Sequence, residues 1–345
     1  MRVAILGAGN IGLATAALLA HSGHVVTVWS PSGRGTAALA AGELVCTGAV
    51  NARVKVAVAA SAGAALEGAE AAFLCAPAYA HPAIIAAAVP HLRAAQTVVI
   101  MPAGPLSPLL LAGRCKPVGL ATTVMTARRG AGAEVNIPTI RDRLDLAALP
   151  ARDSAAARTL LQALFGDRFG LQDNLLGIAL SNVNPVVHVP LMLGNLSRVD
   201  RAERWPQYDN LTPSVAAMIE AVDAERLAVA RAFGLAVPSV EDHFARSFGV
   251  PHGRLADMAA AVHAQRGGPP GPVALEDRYL VEDIPYGLAF YATLARIAGV
   301  GAPVTAACIA LAEAALGRPL AADNRVAAAL GLERMHRAAL LAAVA

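Results

Sequence analysis

The stretch RVAILGAGNIGLATAALLA, residues 2–20, decides the fold of the first half of the chain. Its apolar run at residues 3–6 predicts a short, buried strand of a parallel sheet. Gly7, Gly9 and Gly12 follow in the pattern GxGxxG, and an apolar helix comes next. This pattern, placed between a strand and a helix, indicates a dinucleotide-binding turn.

Each glycine has a separate physical role in such a turn. Gly7 permits the tight bend, Gly9 lets the backbone approach a pyrophosphate, and Gly12 lets the helix pack closely on the strand. The helix begins at Asn10 and Ile11, whose backbone N–H groups have no partner within the helix. These unpaired donors and the positive end of the helix dipole favour the binding of phosphate. A second predicted strand follows at the distance that the motif requires. A purely structural glycine turn is the weaker alternative.

The second predicted strand, residues 25–29, is followed by the sequence SPSGR at residues 30–34. An acidic residue at this point would bind the ribose 2′-hydroxyl of NAD and repel a 2′-phosphate. No carboxylate is present, whereas Ser30 offers a hydroxyl and Arg34 a guanidinium that suits a phosphate. We therefore predict that NADP is the preferred cofactor, with NAD as the second choice. The alternative is that Arg34 is an ordinary exposed loop residue.

Apolar runs continue along the first half of the chain and alternate with helix-like segments. Further strands are predicted at residues 54–58, 71–76, 97–101, 118–123 and 135–140. This alternation indicates a Rossmann domain, an α/β fold with a doubly wound, mostly parallel sheet. Ala76 and Pro77 follow a strand at its carboxyl end and are predicted to contact the cofactor. Residues 141–158 are polar and mixed, and the domain is predicted to span residues 1–170.

Residues 171–345 have the periodicity of helices and predict an all-α C-terminal domain that carries the substrate site. Thr212 followed by Pro213 has the composition of a helix start. Ser239 and Asp242 resemble a capping box at the start of another helix.

Charge and apolar content argue against several classes of function. Lys and Arg number 28 against 25 Asp and Glu, and this net charge of +3 argues against a nucleic-acid partner. The pair Arg128-Arg129 is interpreted as solvated surface. The uncharged stretch at residues 71–92 is long enough to cross a bilayer, but its prolines and histidines favour a strand, a loop and a helix. No secretory signal opens the chain, so a cytoplasmic location without a membrane partner is predicted.

The four cysteines are scattered and lack the spacing of a zinc or redox motif. We therefore predict reduced thiols and no metal site. The predicted partners are small-molecule substrates. The sequence leaves the oligomeric state open, and a homodimer is compatible with it.

Two segments of the second half are unusually polar for their setting. In the string SNVNPVVH a helix would bring Ser181, Asn184 and His188 to one face. In the string RYLVEDIP, Arg278 and Asp283 stand five residues apart. Considered alone, the histidine could equally be a hydrogen-bonded core residue, and the arginine and aspartate could form a surface salt bridge.

Four strings of the second half resemble the helical domain of the opine dehydrogenase family, which includes octopine dehydrogenase. They are SNVNPVVH (181–188), YDNLTPSV (208–215), VDAER (222–226) and RYLVEDIPYGL (278–288). The resemblance covers almost the whole chain in the right order, and these strings are more specific than the glycine motif. It implies that His188 and Asp283 form a catalytic dyad.

The resemblance also implies a reaction: an α-keto acid such as pyruvate condenses with the amino group of an amino acid. The imine is then reduced to a secondary amine with hydride from NAD(P)H, and the reverse oxidation also occurs. His188 would exchange the proton, because histidine titrates near neutral pH, and Asp283 would fix its tautomer. Arg278 would hold the keto-acid carboxylate in its guanidinium fork, and Asn184 is the second predicted substrate-binding residue.

One departure from the family concerns the amine substrate. Family members with strongly charged substrates carry an acidic residue shortly after the sixth strand. This chain has the sequence GLATT at residues 119–123, without a carboxylate. We therefore predict a neutral or apolar amino acid as the amine partner.

Two other functions are weighed against this one. Ketopantoate reductases and β-hydroxyacid dehydrogenases also join a Rossmann domain to a helical domain, but they typically use a lysine of the helical half. Lys55 and Lys116 are the two lysines of this chain, and both lie in the first half. The alternative of another class is a non-catalytic, NADP-sensing regulator, against which the residues of the implied dyad count.

Overall fold

The computed structural model describes residues 1–39 and 41–345. These residues form two compact units. The first unit is Met1–Ala179 together with Ala342–Ala345, and the second is Leu180–Leu341.

Both ends of the second unit differ from the predicted span of residues 171–345. The chain just after residue 170 still belongs to the first unit, because a short strand there adds to the edge of its sheet. The last four residues also return to the first unit, where the carbonyl of Ala345 accepts a hydrogen bond of 3.0 Å from the N–H of Ala151.

The first unit holds twelve strands among its described residues. They are β1 (Arg2–Leu6), β2 (Val25–Trp29), β3 (Glu43–Gly48), β4 (Ala52–Lys55), β5 (Ala57–Val58), β6 (Ala71–Leu74), β7 (Thr97–Ile100), β8 (Lys116–Leu120), β9 (Met125–Arg129), β10 (Glu134–Ile140), β11 (Leu144–Ala148) and β12 (Phe169–Leu171). Eight of them form one sheet in the order β12-β11-β8-β7-β6-β1-β2-β5. Every neighbouring pair in it is parallel except β11 with β8, which confirms the mostly parallel Rossmann sheet.

A second sheet of four strands has the order β4-β3-β10-β9. The single strand predicted at residues 54–58 is therefore wrong, because β4 and β5 belong to different sheets. Strand β11 was missed within the polar stretch at residues 141–158. Its Leu144, Leu146 and Ala148 are buried, but the charged residues around them hide this alternation in the sequence.

The helices are divided between the units. They are α1 (Asn10–His21), α2 (Ala62–Leu66), α3 (His81–Ala88), α4 (Ser154–Phe165), α5 (Leu175–Leu180), α6 (Asn184–Gly194), α7 (Leu196–Asp200), α8 (Pro213–Ala232), α9 (Val240–Phe248), α10 (Leu255–Arg266), α11 (Arg278–Val281), α12 (Ala289–Ala298), α13 (Pro303–Leu316), α14 (Arg325–Leu330) and α15 (Arg337–Val344). A π-helical turn, Ile284–Leu288, joins α11 to α12. The regular structure described in the second unit is helical apart from one β-bridge between Pro206 and Pro270, so the helical domain is confirmed.

Both faces of the large sheet are covered by helices. Ile5 of β1 packs in one core with Leu13 of α1, whereas the next residue, Leu6, packs in another core with Ile84 of α3. Side chains that alternate along a strand point to opposite faces, so both faces bury apolar surface. This is the doubly wound arrangement that the sequence predicts.

The string VDAER at residues 222–226 stabilises the second unit from within. Arg226 is 1% exposed and forms an ion pair of 2.6 Å with Asp223. Glu225 accepts hydrogen bonds of 2.8 Å from the N–H groups of Val304 and Thr305 and so caps α13. A carboxylate at a helix N-terminus is favoured by the unpaired N–H groups and the dipole. These three charged residues have structural partners in the fold.

One helical stretch, Leu175–Gly194, is long and apolar enough to cross a membrane by length and composition alone. Of the most apolar 18-residue segment of this stretch, 89% is buried inside the protein, as in the core helix of a globular domain. The stretch at residues 71–92 forms β6, a short turn and α3, as predicted.

Candidate active site

The glycine loop between β1 and α1 is tight where it packs and open where a ligand is expected. Gly7 has a φ of +115°, and a Cβ built on it would lie 2.5 Å from the carbonyl oxygen of Cys75. A Cβ on Gly12 would overlap the carbonyl of Gly7. A Cβ on Gly9 would meet no atom within 4 Å. The space over Gly9 is the cradle that a dinucleotide pyrophosphate needs.

Helix α1 begins directly after this cradle. Gly9 is its N-cap residue, so no cap side chain competes with an anion for the first-turn N–H groups, which include those of Asn10 and Ile11. These N–H groups have no acceptor within the helix itself. The loop and the helix start therefore fit a nicotinamide dinucleotide.

The loop after β2 packs against the glycine loop. A Cβ built on Gly35 would lie 2.9 Å from the carbonyl oxygen of Ala8 and 3.2 Å from the hydroxyl of Ser30. Arg34, the residue before Gly35, is exposed. The structure thus brings Ser30 and the backbone of Arg34 beside the cradle, where the sequence predicts a 2′-phosphate.

Arg129, at the end of β9, also reaches the glycine loop. Its backbone N–H donates to Oδ1 of Asn10 at 3.2 Å, and its Nη1 donates to the carbonyl of Ala8 at 3.4 Å. The interpretation of Arg128-Arg129 as solvated surface therefore does not describe Arg129 fully, because its side chain also contacts the glycine loop. Because 121 residues separate Arg129 from Ala8, no local pattern could have revealed the contact.

Ala76 and Pro77 follow β6 beside Gly7, whose added Cβ would lie 3.5 Å from the Cβ of Ala76. The carbonyl of Ala76 accepts a hydrogen bond of 2.9 Å from Nε2 of His81. His81 is fully buried, and burial lowers its pKa to about 4, so its ring is neutral at pH 7. Its Nδ1 then accepts from the hydroxyl of Ser107 at 2.7 Å. His81, which the sequence did not single out, ties the loop after β6 to the segment after β7.

In the second unit, His188 and Asp283 form a close pair. Nδ1 of His188 lies 2.7 Å from Oδ2 of Asp283, and the two side chains are 10% and 13% exposed. The partner of Asp283 is thus the histidine, and not Arg278 as in the surface salt-bridge alternative. With Nδ1 bound to a carboxylate, Nε2 is the ring nitrogen through which protons can be exchanged.

The backbone around both residues fixes this pair. The N–H of Asp283 donates to the carbonyl of Arg278 at 3.0 Å, and the carbonyl of Asp283 accepts from Leu288 at 2.9 Å. Both bonds span five residues, which widens the helix around the aspartate. Gly287 lies against the ring of Pro185 at the start of α6, where an added Cβ would overlap that ring. The absent side chain lets the π-helical turn approach the helix that carries the histidine.

Tyr279 stacks on the imidazole of His188 with ring centroids 3.7 Å apart and planes 3° from parallel. Its hydroxyl donates to Oε1 of Gln207 at 2.6 Å. Sequence reasoning missed both Tyr279 and Gln207. The tyrosine stands inside a string that resembles the family, but the glutamine lies 72 residues away and carries no local signal.

The structure treats the remaining predicted residues of the second unit differently. Asn184 is the exposed first residue of α6, four positions before His188. Ser181 lies in the turn before α6, so it does not share a helix with the other two, and that part of the prediction is wrong. Arg278 is exposed, and its guanidinium carbon lies 5.9 Å from the ring centroid of Tyr279.

Two families of known proteins match the two halves of the chain. Residues 171–316 match the alpha-helical domain of NAD/NADP octopine/nopaline dehydrogenase. An opine dehydrogenase of Arthrobacter sp. (strain 1C) is 28% identical over 366 residues, covering 99% of this chain and 98% of that protein. The helical half of the chain therefore resembles the octopine/nopaline dehydrogenases. Residues 3–149 match ketopantoate reductase PanE/ApbA, so the likeness to those reductases lies in the Rossmann half of the chain.

Solved structures agree with this grouping at the level of the fold. Octopine dehydrogenase with NADH and L-arginine superposes with a TM-score of 0.78 at 21% identity, covering 92% of this chain and 90% of that one. Yersinopine dehydrogenase with bound NADP+ has a TM-score of 0.68 at 16% identity, covering 98% and 94%. The chain is an NAD(P)-dependent oxidoreductase with opine dehydrogenase activity in the general sense.

Proposed function

We propose that this opine dehydrogenase condenses an α-keto acid of the pyruvate type with the amino group of a neutral amino acid and reduces the product with NADPH. The reverse oxidation of the secondary amine belongs to the same proposal. The observation that carries it is the pair of His188 and Asp283, which provides a buried acid–base group with a fixed tautomer. Imine chemistry needs such a group, because protons must be given and taken at neutral pH.

The chemistry proceeds through two proton transfers at Nε2 of His188. The amine nitrogen attacks the keto carbon, and His188 takes protons from that nitrogen and gives them to the carbonyl or carbinolamine oxygen. Once two protons have passed from nitrogen to oxygen, the C–O bond breaks, water leaves and an imine remains. In the reverse direction His188 takes the proton from the secondary amine. Asp283 accepts the Nδ1–H, holds the tautomer and stabilises the imidazolium that forms.

The cofactor, when bound, supplies or accepts a hydride at the imine carbon. The N–H groups at the start of α1 and the open backbone at Gly9 would bind its pyrophosphate. Ser30 and Arg34 would bind the 2′-phosphate of NADPH, and Ala76 and Pro77 would contact the dinucleotide beside Gly7. Arg129, which already donates to the carbonyl of Ala8, is a further cation for the pyrophosphate.

Arg278 and Asn184 are the proposed substrate-binding residues. Both are exposed and stand next to the dyad in sequence or structure, since Arg278 lies over Tyr279 and Asn184 is one helical turn before His188. A guanidinium fork binds a carboxylate through two parallel hydrogen bonds. This favours Arg278 as the anchor of the keto acid.

The amine is proposed to be neutral because the carboxyl end of β8 carries no acidic residue. Residues 119–123 read GLATT, and Leu120 is fully buried. A basic amino acid would need a partner carboxylate for its side chain, and this segment offers none. Neutral amino acids are therefore expected to be better substrates than arginine or lysine.

A substrate screen tests the proposal. Purified protein is mixed with pyruvate, one amino acid at a time and NADPH or NADH, and the absorbance of the reduced cofactor is followed. Loss of absorbance that requires both the keto acid and an amine supports the proposal. Reduction of keto acids without an amine would indicate a ketopantoate-type reductase, and cofactor binding without any turnover would indicate a regulator. The cytoplasmic location and a homodimer stay predictions.

A further inference from the structure

We propose that Tyr279 is a positioning residue for His188 and that Gln207 holds Tyr279 in place. The inference rests on the proposed function, because it assigns the tyrosine a role in presenting the acid–base group. The parallel stack at 3.7 Å carries it. Tyr279 itself is a positioning residue, since the proton is exchanged by the histidine.

The stacked ring of Tyr279 and the carboxylate of Asp283 together fix the orientation of the His188 imidazole. A single hydrogen bond at Nδ1 fixes one edge of the imidazole but leaves the ring free to rock about that bond. A second ring parallel to it within 3° removes this motion, because tilting the imidazole would drive it into Tyr279. The carboxylate and the phenol ring together leave one position for Nε2. A catalytic base must be held this closely for efficient proton transfer.

The phenol also suits the charge that the histidine acquires. Imidazolium is a cation, and a cation over an aromatic face is attracted by the ring quadrupole. Burial raises the pKa of the Tyr279 hydroxyl well above its usual value. The hydroxyl is therefore protonated at working pH and serves as a hydrogen-bond donor.

Gln207 is a rigid acceptor for that hydroxyl. Gln207 is 3% exposed, and its backbone N–H donates to the carbonyl of Pro269 at 3.2 Å. The neighbouring Trp205 donates from Nε1 to the carbonyl of Pro272 at 2.9 Å. At its other end, Tyr279 is fixed by the carboxylate of Asp277, which accepts from its N–H at 3.0 Å. The ring is thus held at its backbone and at its hydroxyl.

The test compares Tyr279→Leu with Tyr279→Phe and Gln207→Ala. Tyr279→Leu removes the stacked ring and is expected to lower kcat about tenfold while the cofactor Kd stays unchanged. Tyr279→Phe keeps the ring and should lose about threefold or less. Combined with His188→Ala, the leucine variant should cause no additional loss, because its effect acts through that histidine. Gln207→Ala should resemble the phenylalanine variant.

A second measurement does not depend on turnover. 1H NMR spectra report the Nδ1–H proton of His188, which exchanges slowly with water only while the imidazole keeps its hydrogen bond to Asp283. The wild type and Tyr279→Phe should show this proton as one slowly exchanging resonance, whereas Tyr279→Leu, in which the imidazole can rock, should show it broadened by faster exchange. Unchanged spectra in the leucine variant, or equal kcat losses in the leucine and phenylalanine variants, would overturn the inference. An inactive wild type with these spectral differences would instead count against the proposed function.

Discussion

Nδ1 of His188 lies 2.7 Å from Oδ2 of Asp283, although 95 residues separate the two along the chain. The first prediction follows from this contact. His188→Ala should lower turnover by about 10²-fold or more, the usual scale of acid–base catalysis, and should leave cofactor binding intact. Asp283→Asn should also lose turnover, because the amide cannot stabilise the imidazolium.

Steady-state kinetics with NADPH titrations checks both variants. Ser197→Ala, at an exposed serine of α7 in the same unit, is the control and should keep turnover within about threefold. Near-wild-type rates in either dyad variant would remove the catalytic assignment.

The second prediction separates the two arginines beside the glycine loop. Arg34→Ala should weaken NADPH binding about tenfold and leave NADH nearly unchanged, because the 2′-phosphate is the group that differs. Arg129→Gln should weaken both cofactors, since it lies at the carbonyl of Ala8, next to the proposed pyrophosphate position.

Fluorescence titration of each variant with both cofactors makes the measurement. The matched control is Arg128→Gln, which changes the same charge on the adjacent, exposed residue of β9 and should bind both cofactors as the wild type does. A wild-type preference for NADH would contradict the 2′-phosphate assignment of Arg34.

The third prediction concerns the carboxylate of the keto acid. Arg278→Lys keeps the charge but loses the planar fork, so the KM for the keto acid should rise about tenfold while the KM for the amine changes little. Initial-rate measurements that vary each substrate in turn provide the test. Arg198→Lys, at an exposed arginine of the same unit, is the control. If NADPH affinity falls instead of keto-acid affinity, Arg278 binds a cofactor phosphate.

The fourth prediction tests the close approach that brings the dyad together. Gly287→Ala places a methyl group inside the ring of Pro185. We expect a loss of about 1–3 kcal/mol of unfolding free energy, together with lower turnover as the π-helical turn moves from α6. Gly253→Ala is the control, because a Cβ there meets nothing within 4 Å. Urea unfolding and kcat are measured for both variants. A Gly287→Ala variant with the wild-type unfolding free energy and kcat would contradict the packing argument.

The fifth prediction is a pH dependence of stability from His81. Burial lowers its folded pKa from 6.5 to about 4. Between these values the unfolded chain binds a proton that the folded chain excludes, so stability falls as the pH falls, by at most about 1.4 kcal/mol for each pH unit. His81→Asn should be less stable at pH 7 but should lose less between pH 7 and pH 4.5. Equal pH slopes for both proteins would show that His81 is not the group responsible.

Local patterns in the sequence determined several features of this protein. The glycine loop, the first two strands and the capping box of Ser239 and Asp242 all occur as predicted. These features depend on backbone sterics and on hydrogen bonds between residues a few positions apart, so a short window of sequence contains all the information they require. The resemblance of the four strings similarly indicated the helical domain and the dyad residues.

The tertiary structure alone decided which distant side chains meet. Arg129 reaches the glycine loop, and Gln207 reaches Tyr279, across 121 and 72 residues respectively. Strand β11 was hidden because burial of its alternate residues depends on the neighbouring β8 and not on its own charged composition. Such contacts arise from the packing of whole helices and strands, in which small side chains such as Gly287 set the approach. A short window of sequence does not show that packing, because it depends on contacts between residues that are far apart along the chain.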